Sequence, residues 1–164
     1  MKKVFYALFA LTLSFTPVNA STNETMLDMI DWITENSKYE YNGEKLPWLE
    51  IRTQEEICET VYEEVPENCI AVAYYDHNMN AIFVSPDPIG KMVQEKFIEV
   101  MLFHELVHYL QYLNGEDKRV ACSNELEMNA YKLQDKYIQH MGWPEEQRPN
   151  MLFAYLVSSC HPHN

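Results

Sequence analysis

Residues 97–113 are apolar on nearly every face of a helix, and three polar side chains interrupt them in the run His104-Glu105-Leu106-Val107-His108. A helix of that composition must be buried. Burying two imidazoles and a carboxylate without partners is costly, so something has to compensate them. Histidines four apart sit one turn from each other on the same face, where both rings can converge on one ion. Glu105 follows the first histidine and can reach a water on that ion, the place of a general base. Chance produces H-E-x-x-H in roughly one chain in a few hundred of this length, and such a copy usually falls on a surface or in a loop. A hydrogen-bonded core cluster without metal is the plain alternative; the position in the most apolar helix favours a metal.

A hydrolytic ion of this kind takes three protein ligands and leaves a position for water. The next helical stretch, predicted over residues 124–141 and stopped by Gly142 and Pro144, offers Glu125 and Glu127. Helical phase separates them. Leu126, Ala130, Leu133, Tyr137 and Met141 form an apolar stripe. Glu125 falls with Asn129, Lys132, Lys136 and Gln139 on a solvated face, whereas Glu127 flanks the stripe beside Tyr131, Gln134 and Ile138. Ala130, one turn beyond Glu127, permits close approach of a neighbouring helix. Glu127 is the expected ligand. For either acid the simpler reading is a first-turn carboxylate that the helix dipole favours.

The remaining pattern is α+β, helix then mixed strands then helices. Residues 23–37 carry Met26, Leu27, Ile30 and Ile33 at helical spacing. Residues 45–52 read as a short strand, and Thr53 with Glu56 forms a capping box that opens a helix bearing Ile57, Cys58 and Val61. Residues 69–75 and 80–85 are predicted to pair as a hairpin about the polar turn Asp76-His77-Asn78-Met79, in which His77 is solvated. The buried helix is predicted over residues 89–114, closed by Asn114-Gly115. A last helix is expected over 150–159. His140 needs no explanation beyond the end of its helix.

The N-terminus reads as an address. Lys2 and Lys3 precede an apolar stretch over residues 4–15, and Pro17-Val18-Asn19-Ala20 supplies small residues at a cleavage position. That is the three-part pattern of a secretory signal peptide over residues 1–20, too short to span a bilayer, with 21–164 as one domain. The expected setting is periplasmic or secreted, without a membrane anchor after cleavage. Four cysteines, Cys58, Cys69, Cys122 and Cys160, lie beyond the cut. An even count in an exported chain favours disulfides, and no C-x-x-C spacing suggests a structural zinc site. Of three possible pairings, Cys58–Cys69 and Cys122–Cys160 join consecutive elements and are expected. The formal charge of −13 argues against a nucleic-acid partner, which needs clustered positive charge. It leaves basic peptides open.

With H-E-x-x-H over residues 104–108 and Glu127-x-x-Ala130 downstream, the chain resembles the gluzincin metallopeptidases, especially their small minimal members, over roughly residues 69–141. The resemblance implies one zinc held by His104, His108 and Glu127, with Glu105 as the catalytic base and a peptide or protein as substrate. It implies a zincin-like fold, in which a small antiparallel or mixed sheet packs on the active-site helix and a ligand-bearing helix follows. It also implies an edge strand that aligns an extended peptide, and residues 80–85 are the expected edge. Many gluzincins carry an aspartate where this chain has Tyr131, so the support of the zinc histidines must differ here. Tyr155, His161 and His163 are available for the family's downstream oxyanion donor, and spacing selects none of them. Two other readings stay open: a catalytically silent zinc-binding accessory protein, and an enzyme kept latent by residues 21–45 lying across the cleft.

Overall fold

The computed structural model describes residues 18–86 and 94–160. The order is α1 (Val18–Asn36), β1 (Trp48–Ile51), α2 (Gln54–Val61), β2 (Ala73–Asp76), β3 (Ala81–Val84), α3 (Gln94–Leu113), α4 (Glu127–Met141) and α5 (Met151–Val157). A 3₁₀ turn, Ser123–Leu126, runs directly into α4. This is a mixed α+β arrangement around one small sheet. The signal-peptide expectation falls mostly outside the described residues, as do His161, His163 and the first turns expected of the long helix. Among the described residues no helix is long and apolar enough to cross a membrane.

The sheet has the order β1-β3-β2, with β1 parallel and β2 antiparallel to β3. All four residues of β3 are buried, as a strand covered on both faces should be. Alternation divides them. Ile82 and Val84 join the main core against α1 and α3, while Ala81 and Phe83 pack with Ile57 of α2 on the other face. The expectation that residues 80–85 form the substrate-aligning edge is therefore wrong: β3 is the central strand, and β2 is the edge on the α3 side. The Ser85 N–H donates to the Val72 carbonyl, so in this register the N–H and C=O groups of Ala73 and Tyr75 point away from β3.

The turn between β2 and β3 is held by Asp76, whose Oδ1 accepts from the N–H groups of Asn78 and Met79. Asn80 takes φ +51° and donates through its side chain to the carbonyls of Lys45 and Leu46, which fixes the approach to β1. The capping box of α2 forms as expected, with Thr53 and Glu56 each accepting from the other's backbone N–H.

α3 is the axis of the molecule. Phe97, Val100, Phe103, Leu106, Val107 and Leu110 are fully buried, the last four in one cluster with residues of α1, the sheet and α4. α1 supplies Met26, Met29, Ile30 and Ile33 to that core, while Leu27, expected on its buried stripe, is exposed. Residues 21–36 are thus a wall of the domain and do not lie across a cleft. The loop after them is tied in as well, because the Tyr109 hydroxyl donates to the Lys45 carbonyl.

Both expected disulfides form, Cys58–Cys69 and Cys122–Cys160, and no cysteine among the described residues is free. Their separations of 11 and 38 residues correspond to loop-closure stabilisation of about 3 and about 4 kcal/mol respectively. The second joins the turn before Glu127 to the residues after α5. Replacing Cys122 and Cys160 by Ala should lower unfolding free energy by about 4 kcal/mol in urea titrations. Replacing Cys58 and Cys69 should cost about 3 kcal/mol.

Candidate metal centre

α3 presents His104 and His108 one turn apart, both facing α4. α4 can come close because Ala130 is fully buried at the contact, and Leu126 is buried just ahead of the helix. Glu127 is therefore the first residue of α4, where the helix dipole favours negative charge. Its Oε2 lies 3.2 Å from His104 Nε2 and its Oε1 3.3 Å from His108 Nε2. The two Nε2 atoms are 3.1 Å apart. All three donors fall within 4.8 Å of one another. Glu125 is left outside: it is exposed and caps the Ala121 N–H.

Two glutamines orient the rings. Gln111 Nε2 donates to the Leu126 carbonyl at 2.9 Å, which turns its Oε1 toward His108 Nδ1 at 2.7 Å. That Nδ1 carries the proton, and the Nε2 lone pair faces Glu127. Gln134, one turn beyond Ala130, accepts from His104 Nδ1 at 2.8 Å. Both glutamine side chains are fully buried. Nε2 is the free donor on each ring, and two such donors with a carboxylate suit a zinc-type ion. The Gln111 contact also ties the peptide just before Glu127 to α3, so one side chain sets a ligand's tautomer and its neighbour's position.

Two imidazole lone pairs facing each other at 3.1 Å require positive charge between or beside them. In the ion-free protein a proton supplies it. Burial presses the His108 pKa down, but the charge and hydrogen bond of Glu127, with help from Glu105 and Gln111, push it up to about 9. Burial works against the charge on Glu127 too, yet the charge of His108 and the hydrogen bonds from both rings hold its carboxyl far below the usual range.

Glu105 is buried and is no part of the ligand triangle. Burial raises its pKa, opposed by the two histidines and by the Tyr75 N–H, which faces its carboxylate from the outer side of β2. Tyr131 takes the place where an aspartate was absent from the pattern. Its ring packs on that of His104 with centroids 4.5 Å apart, and Phe153 of α5 closes on it at 6.3 Å. Support for His104 comes instead from Gln134, one turn further along α4. Tyr155 is well exposed on α5. Gln111 and Gln134 are the functional residues that sequence reasoning passed over; the available signal was an amide within each apolar face.

A family profile described as "Domain of unknown function (DUF6647)" matches residues 19–164. No curated protein and no solved structure matches the chain.

Two outcomes are expected. The raised His108 pKa adds stability to the ion-free protein that is complete below pH 6.5 and lost as pH climbs toward about 9. The lowered Glu127 pKa adds stability complete above pH 4.5 and lost on acidification. An ion held by these donors would have to displace the His108 proton, so a rise in melting temperature on adding zinc should grow from about pH 6 to about pH 8. A rise that is flat with pH contradicts this coupling. Secondly, Gln134→Leu, which leaves the three donors in place, should weaken zinc binding by about 10- to 100-fold in a chelator competition.

Proposed function

We propose that this chain, which belongs to the DUF6647 family, is an exported zinc-dependent peptidase with a zincin-like fold of the gluzincin kind. One observation carries the reading: His104, His108 and Glu127 converge beside a buried Glu105 at a strand that is the sheet's edge among the described residues. When bound at the three donors, zinc supplies a strong Lewis acid that acidifies water and polarises a peptide carbonyl.

The rest is the work of the chain itself. His104 and His108 present Nε2 because their Nδ1 protons are given to the glutamines, and Glu127 adds one negative charge. Glu105 takes a proton from the attacking water and passes it to the departing amide nitrogen. Burial raises its pKa, which makes the carboxylate a stronger base than an exposed one. The N–H and C=O of Ala73 and the C=O of Tyr75, on the outer side of β2, can align an extended peptide by strand addition. The region expected as a leader, residues 1–20, lies almost wholly ahead of the family match, and two disulfides suit an oxidising compartment.

Glu105→Gln keeps all three ligands and should retain one zinc per chain while peptide-library cleavage falls by about 10²- to 10⁴-fold. Undiminished cleavage would remove Glu105 from the mechanism. A wild-type protein that binds zinc and cleaves nothing would instead be a zinc-binding accessory module.

A further inference from the structure

A cavity of about 330 Å³ opens between the β2–β3 turn, the last turn of α3 and residues 117–126. Helical spacing places it next to the metal centre. Tyr112 in its wall is four residues beyond His108, as His108 is beyond His104, so the three share one face of α3. Leu126 lines the opposite side and directly precedes Glu127. Tyr112 meets Tyr75 edge-on at 5.9 Å, and Tyr75 is the residue whose N–H faces Glu105. The cavity is thus joined to the proposed reaction site through β2 and through the start of α4.

Its chemistry is specific. Tyr112 and His77 stack almost parallel, with centroids 4.5 Å apart and planes 10° from one another, and form a flat aromatic wall. Asp117 also lines the cavity, and its Oδ1 is buried without a hydrogen-bond partner. The adjacent cations do not satisfy it: Lys118 and Arg119 are exposed, and Arg119 donates to the Asn114 carbonyl. A buried carboxylate oxygen left unpaired costs free energy that an entering cation recovers. Guanidinium groups stack well on aromatic planes. An apolar side chain in the same space would leave the carboxylate oxygen unpaired.

We infer that this cavity receives a basic side chain, arginine above lysine, from a peptide lying along the outer edge of β2. The inference rests on the peptidase reading for its role and on the cavity alone for its ligand. The chain's charge of −13 favours the approach of such peptides.

The test separates ligand from role. The zinc-loaded Glu105→Gln protein, which retains its ligands, is titrated with two hexapeptides that differ only in a central arginine or glutamine. The arginine peptide should bind at least about tenfold more tightly. Asp117→Asn should abolish that difference while leaving the glutamine peptide's affinity unchanged. His77→Ala, at an exposed turn position where folding is not at stake, should reduce the preference about threefold or more. Equal affinities in the parent protein, or a preference that survives both substitutions, would overturn the assignment. Wild-type digestion of a peptide library should then show cleavage beside arginine and lysine that Asp117→Asn randomises. A binding preference without any cleavage would keep the cation site and discard the peptidase reading.

Discussion

Two imidazole nitrogens 3.1 Å apart, both facing one carboxylate, create a place that is stable only when positive charge occupies it. Much of the molecule can be understood as holding that place open. α3 has to be buried so that its histidines are rigid, and α1, the sheet and α4 together enclose it. Ala130 lets α4 approach, and Gln111 locks the approach by reaching the Leu126 carbonyl. The Cys122–Cys160 bond anchors the segment that leads into Glu127, and it brings α5 to where Phe153 backs Tyr131.

The three-stranded sheet packs against the same helix, α3. Its central strand needs cover on both faces, and α3 and α2 provide it. The antiparallel edge, β2, then runs beside Glu105, with the Tyr75 N–H turned to that carboxylate and no further strand paired to it among the described residues. An open edge is normally a liability in a soluble domain. Here it borders the buried carboxylate, and the proposed alignment of a peptide rests on that juxtaposition.

The legible parts of the sequence were those governed by local periodicity. Spacing of four put the histidines on one face, helical phase preferred Glu127 to Glu125, and the capping box located α2. Adjacency in the chain was enough to choose the disulfide pairs. The strand order was different, since pairing partners are set by tertiary packing. Ala81-Ile82-Phe83-Val84 has no polar alternation, and that unbroken apolar run is the mark of a central strand. Reading it as an edge followed the resemblance to gluzincins and not the residues. Gln111 and Gln134 were obscured for another reason: an amide on an apolar face has no meaning until the partner ring across the interface is known. The 3₁₀ turn ahead of α4, which makes Glu127 the first residue of the helix, is likewise fixed by the Gln111 contact and the disulfide, neither of which is local.

The central claim is that one divalent ion belongs between His104, His108 and Glu127. Native mass spectrometry with elemental analysis of the purified protein tests it most directly. The account requires one zinc per chain, removed by a chelator, restored on addition, and lost in Glu127→Ala. Protein that carries no ion, takes up none, and melts at the same temperature with or without zinc would contradict it.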